Sequence, residues 1–127
     1  MSVVYLTTED LLALADDLGV LVLRDIGLLD SAAHRPQSTV LGTDAYRSVH
    51  EKAAALLESI VRNHPLVDGN KRLGWLALCV FYGLNDIDVE VVDDDAYDLI
   101  IALASGKVDH RAAAKTLEAW LTLPPCR

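Results

Sequence analysis

Basic residues and cysteines are scarce in this sequence. Eleven Lys and Arg stand against nineteen Asp and Glu, a formal net charge of −8 over 127 residues. So acidic a chain lacks the clustered positive charge that general affinity for nucleic acid or an anionic lipid surface requires. One phosphate-bearing ligand can still bind at a locally basic spot. Two cysteines, Cys79 and Cys126, do not make the framework that staples small secreted scaffolds. Cys79 lies in an apolar run and reads as a buried thiol; Cys126, just past Pro124 and Pro125, is expected to be frayed. No basic leader precedes Glu9 and Asp10. The longest uncharged run, 73–85, falls short of the ~20 residues that span a bilayer. No repeat, low-complexity stretch or Gly/Ser linker divides the chain. With 52% apolar residues it is not a disordered chain. The expectation is one domain over 1–127, cytoplasmic, in contact with neither membrane nor nucleic acid.

What is present is helical punctuation. Thr7 precedes Asp10 by three positions, an N-cap pattern; Leu11, Leu12, Leu14 and Ala15 follow, and Gly19 suits a C-terminal stop. Residues 20–23 form a short apolar run, readable as a strand or a buried turn. Residues 28–34 suggest one or two helical turns ending before Pro36, and 36–43 a loop. Tyr46, Val49, Ala53, Leu56, Leu57, Ile60 and Val61 recur at steps of three and four, and Pro65 closes that helix. The next helix, about 70–82, is apolar on all sides and is expected to run through the centre of the domain. Asp93 is placed to cap a helix through Ala104, stopped by Gly106. Asp109 is placed to cap another, stopped by Pro124 and Pro125. The pattern predicts an all-α domain of about six helices with a buried central helix and at most a short hairpin.

One segment concentrates chemistry: His64-Pro65-Leu66-Val67-Asp68-Gly69-Asn70-Lys71-Arg72. It leads into the first turn of the apolar helix. A helix start leaves backbone N–H groups without partners, and with the macrodipole these favour an anion. Gly69 lets the backbone approach a ligand closely. Lys71 and Arg72 add positive charge where the dipole disfavours it, which implies a compensating anion. Asp68 suits a hard cation such as Mg²⁺, which binds through one or two carboxylates plus substrate phosphates. An imidazole, here His64, can accept a proton near neutrality. Taken singly these residues are ordinary: a loop histidine, an Asp-Gly turn, an Asn N-cap, a solvated Lys-Arg pair matched to Asp68. Together they compose a site for phosphoryl or nucleotidyl transfer.

The segment resembles the signature of the Fic/Doc superfamily, in its Doc (death-on-curing) form. The Fic pattern reads His-Pro-Phe, two residues, Gly-Asn-Gly-Arg, two residues, Arg. His64, Pro65, Gly69, Asn70 and Arg72 match it, as does Asp68 before the glycine; the Asn-Lys-Arg ending is the Doc form. Residues 27–31, 35–37 and 51–57 are also similar to Doc-like chains, so the likeness covers nearly the whole length.

The resemblance implies a small helical Fic domain and a toxin held inactive by a Phd-type antitoxin. It implies a protein kinase moving the γ-phosphate of ATP, with Mg²⁺, to a hydroxyl of elongation factor Tu, which halts translation. It assigns His64 as base, Asp68 to Mg²⁺, and Gly69, Asn70, Lys71 and Arg72 to phosphates. Arg62 has a Doc counterpart that contacts phosphate or substrate; its ordinary reading is a helix-end arginine satisfying the dipole. Two rival activities stand beside the kinase: AMP transfer, as in Fic enzymes, and an inactive domain that only binds its antitoxin.

Three positions depart from the Fic pattern. Leu66 replaces phenylalanine as an apolar plug. Lys71 stands in place of a glycine and Trp75 in place of the second arginine, and both changes weigh against AMP transfer. Asp86, Asp88, Glu90, Asp93, Asp94, Asp95 and Asp98 form an acidic run. It reads as a solvated, dipole-favoured helix start rather than a metal or basic-partner site. Residues 35–43 lie where family members carry a substrate-docking flap.

Overall fold

A computed structural model describes residues 2–121; Met1, Cys126 and the Pro124–Pro125 stop lie outside the described residues. Six helices carry the chain: α1 (Thr8–Asp17), α2 (Ile26–His34), α3 (Val49–Asn63), α4 (Asn70–Leu84), α5 (Asp93–Ala104) and α6 (His110–Leu121). A 3-10 turn, Arg35–Gln37, and a two-stranded antiparallel hairpin follow α2. In the hairpin β1 (Thr39–Val40) pairs with β2 (Thr43–Asp44), Thr39 opposite Asp44, around Leu41 and Gly42 at positive φ. The all-α expectation holds, with the hairpin inside the stretch expected to be loop.

Side-chain oxygens decide most helix starts. Thr7 and Asp10 cap each other across the first turn of α1, as expected. Ser48 and Glu51 do the same for α3, so that helix starts after Tyr46 rather than at it. Asp25 accepts from Gly27 N at 2.8 Å and Leu28 N at 3.3 Å, which starts α2 earlier than its apolar pattern implied. α2 ends at His34, before Pro36 as expected, and Pro36 lies at the start of the separate 3-10 turn, where its missing N–H costs nothing. Asp109 caps α6 through Ala112 N. Asp93 is not a cap: Val92 holds that position, and Asp93, Asp94 and Asp95 fill the first turn of α5, where the dipole favours them. Among the described residues no group of three or more potential metal ligands converges, in the acidic run or elsewhere. Nor is any helix among them long and apolar enough to cross a membrane.

The innermost helix is α3, not α4. Every residue from Lys52 to Val61 is buried, and α3 packs against α2, α4, α5 and α6. On α4, Trp75, Leu76, Cys79 and Val80 remain partly exposed. The reason is twofold. Ala53, Ala54 and Ala55 let neighbours approach α3 closely, and its polar residues find partners inside the protein. The Lys52 ammonium donates to Tyr46 O and to Asp44 Oδ2 at 3.2 Å, and lies 5.6 Å from the Tyr5 ring. Glu58 meets Arg35 at 2.8 Å. Across the α3–α4 crossing Gly74 is required: a Cβ there would sit 2.8 Å from Val61 Cγ1. That contact sets α4, and hence its N-terminus, against α3.

His50 on α3 lies 2.9 Å, through Nδ1, from the Tyr82 hydroxyl of α4. Burial pushes the Tyr82 phenol up and the His50 imidazole down, the latter against an opposing pull from Glu118. A folded-state His below its unfolded value binds protons more weakly than the unfolded chain does. Stability at His50 is therefore intact above the unfolded value of about 6.5 and falls as pH drops below it. Urea titrations between pH 7 and 5 are expected to show a smaller loss of stability in His50→Gln than in the parent; equal losses would refute the shift.

Candidate active site

The end of α3 and the start of α4 build the site. His64 caps α3 in the left-handed region, φ 54°, and its N–H still reaches Ile60 O at 3.3 Å. Such a conformation strains a non-glycine residue by about 1 kcal/mol or more and persists only where neighbours over-determine it. Those neighbours lie forty residues upstream. The Arg24 guanidinium donates from Nε to His64 O and from Nη2 to Asn63 O, both at 2.6 Å. Arg24 N and Asp25 N both donate to Pro65 O, at 2.8 and 3.0 Å, and Val67 N donates to Val22 O at 2.9 Å. A single bridge, Leu23 opposite Leu66, results. The apolar run 20–23 is thus neither a full strand nor a buried turn. Only Val20 of it is buried, and its backbone splints the motif loop. Leu66 is fully buried, consistent with its role as plug.

Asp68 Oδ1 accepts from Gly69 N at 2.8 Å, closing the turn into α4. Gly69 takes φ 82°, and a Cβ there would lie 2.6 Å from Val20 Cγ1. No other residue fits both the angle and the space. Gly69→Ala is expected to destabilise the chain by about 2–4 kcal/mol, from left-handed strain plus overpacking. A urea midpoint within about 0.5 kcal/mol of the parent's would show that the loop yields freely.

Asn70 is nearly buried. Its Oδ1 accepts from Leu66 N at 2.9 Å, and its Nδ2 donates to Leu66 O at 3.0 Å and lies 3.4 Å from His64 Nδ1. The side chain therefore ties the loop, and what Asn70 presents to a ligand is its backbone N–H. Lys71 and Arg72 are exposed, and neither forms an ion pair among the described residues; in particular, neither is matched to Asp68. Their charge, the first-turn N–H groups and the α4 dipole all act on one space.

That space is a cleft of 280 Å³ lined by His64, Val67, Asp68, Gly69, Asn70, Lys71 and Arg72. Six of the seven residues singled out in the sequence meet there. The seventh, Arg62, does not: it turns toward Glu58, 3.7 Å away, in a separate cleft of 230 Å³ with Arg35, Ser59 and Asn63. Asp68 is exposed and is the one carboxylate lining the His64 cleft. By itself it would not retain a divalent cation, but a single carboxylate completed by substrate phosphates is the usual Mg²⁺ arrangement. A larger cleft of 600 Å³ opens at the other end of α3, between Tyr46, His50, His110 and Lys115. It mixes both signs of charge, and the starts of α3 and α6 that border it are already capped by Ser48 and Asp109. Arg24 and the Val20 contact escaped the sequence reading, because neither carries a local signal pointing forty residues on.

The chain is similar to known proteins. Residues 5–82 match the sequence model of the Fic/DOC family. Over 119 residues the chain is 45% identical to the Toxin Doc of Mycolicibacterium smegmatis, covering 89% of this chain and 90% of that protein.

Proposed function

Because the chain belongs to the Fic/DOC family, we propose that it is the toxin of a toxin–antitoxin pair and a protein kinase. It transfers the γ-phosphate of ATP to a Ser or Thr hydroxyl of a translation factor, elongation factor Tu, and so inhibits translation in the cytoplasm; a Phd-type antitoxin restrains it. The observation that carries the reading is the open cleft at the α4 N-terminus, where an exposed imidazole stands beside two cations that no carboxylate among the described residues matches.

The residues divide the work. The N–H groups of Asn70, Lys71 and Arg72, with the Lys71 and Arg72 side chains, hold the phosphates. Gly69 keeps the backbone bare so that they approach. Asp68 holds Mg²⁺, which neutralises charge on the phosphate oxygens when bound. His64 accepts the proton of the attacking hydroxyl as its oxygen bonds to the γ-phosphorus, and the bond to the β-phosphate oxygen breaks to release ADP. Nε2 has no protein partner among the described residues. At 3.4 Å the Asn70 contact to Nδ1 is weak, so the tautomer with its lone pair on Nε2 costs little.

AMP transfer is the second reading, favoured by the His64, Asp68, Gly69, Asn70 and Arg72 set that Fic enzymes share. Against it, Lys71 adds bulk and charge at a phosphate seat, and the half-buried Trp75 one turn on supplies no phosphate clamp. Incubating the protein and elongation factor Tu with ATP labelled at the α or the γ position separates the two. Retention of the γ label alone is expected; retention of the α label would establish AMP transfer. Labelling of neither, together with growth arrest that survives His64→Ala, would leave a domain that only binds its antitoxin.

A further inference from the structure

We propose that Arg24 is a positioning residue for group transfer. Its guanidinium straps His64 into the left-handed cap and thereby aims the imidazole into the cleft, an inference that rests on the reading of His64 as base. Asn63, His64 and Pro65 offer three consecutive carbonyls at the end of α3, and residues 24 and 25 hold all three. The first two take the Arg24 side chain at 2.6 Å each; the third takes the Arg24 and Asp25 N–H groups. Both side-chain bonds are charge-assisted and placed where the α3 dipole favours a cation. The planar fork matches two neighbouring carbonyls at once, whereas a lysine supplies one point donor. Arg24 makes no ion pair among the described residues and does not line the cleft, so its charge serves the carbonyls and not the ligand.

The strap bears on chemistry more than on stability. Arg24 is exposed, so removing its side chain opens no core cavity. Left without it, the strained His64 backbone has cheaper conformations, and the ring swings with the backbone. Displacing a reacting group by about 1 Å costs on the order of 100-fold in rate. The Asn70 contact at 3.4 Å is too weak to hold the ring alone.

The test uses Arg24→Gln and Arg24→Lys in the full chain. Four readouts decide: unfolding temperature, Mg·ATP affinity by calorimetry, single-turnover γ-phosphate transfer to elongation factor Tu, and the His64 ring signals in NMR spectra of ¹³C-histidine-labelled protein. For Arg24→Gln the expected result is an unfolding temperature within about 3 °C of the parent's and ATP affinity within about twofold. Transfer should be about 100-fold slower, with shifted or broadened His64 ring signals; Arg24→Lys should fall between. Wild-type transfer in Arg24→Gln, or ATP affinity falling in step with rate, overturns the proposal. Unchanged His64 ring signals overturn it whatever the activity. A wild-type chain that transfers neither label refutes the kinase reading instead, and the strap then stands or falls on the ring signals.

Discussion

His64→Ala is expected to lower group transfer by about 10²–10⁴-fold, the usual contribution of a positioned general base. The unfolding free energy should stay within about 0.5 kcal/mol of the parent's. The separation of the two effects follows from place. The imidazole is exposed, its one side-chain hydrogen-bond partner among the described residues is the distant Asn70, and the carbonyls that hold the loop belong to the backbone. Deleting the ring removes the proton acceptor and leaves Arg24, Asn70 and the Leu66 plug where they were. Single-turnover transfer from γ-labelled ATP, read beside urea unfolding, checks both halves. Transfer at the parent's rate would take His64 out of the mechanism. Asp68→Ala, by contrast, is expected to act through Mg²⁺ binding, so part of its loss should appear as a higher Mg²⁺ concentration needed for half-maximal transfer.

The largest stability effect is expected far from the cleft, at Glu58. Its carboxylate is 9% exposed and accepts from Arg35 Nη1 at 2.8 Å and from His110 N, at the start of α6, at 2.8 Å. Arg35 also donates to the Tyr46 hydroxyl and to Ser59 Oγ. Burial works against a charge on Arg35, but the hydrogen bonds to Tyr46 and Glu58 outweigh it and hold the guanidinium's affinity for its proton above the ordinary value. Glu58→Ala strands that cation in a half-buried site and leaves the His110 N–H without its acceptor. Removing one partner of a buried pair costs about 3–5 kcal/mol, against a whole-domain stability of about 5–15 kcal/mol. Urea unfolding at constant pH measures it. A loss under about 1 kcal/mol would mean that water replaces the carboxylate and that the network holds nothing together. Replacing Glu58 and Arg35 together by apolar residues of similar size should cost less than either alone, because no unpaired charge remains.

The Glu58 cluster also shows where the sequence reading failed. Lys52, Glu58 and Ser59 are polar, so by composition α3 looks less buried than the all-round apolar α4. Their burial depends on Asp44, Tyr46, Arg35 and His110, partners that are distant in the chain or outside the helix, and no local periodicity encodes such pairings. The start of α5 erred for a smaller reason: an aspartate can cap a helix or fill its first turn, and only the backbone angles of Val92 distinguish the two.

What the order of residues decided alone is the chemistry with short range. Hydrophobic periodicity, capping pairs such as Thr7 with Asp10, and the Asp68-Gly69 turn act over a few residues, so helix content and the nine-residue motif could be read directly. Tertiary structure decided which helix is innermost, that Arg62 turns away from the cleft, and that residues 20–25 hold His64 in its strained cap. These outcomes depend on partners brought together only when the chain closes on itself. The contacts of Arg24 with His64 and of Val20 with Gly69 span forty to fifty positions, and no pattern within a single helix or turn could announce them.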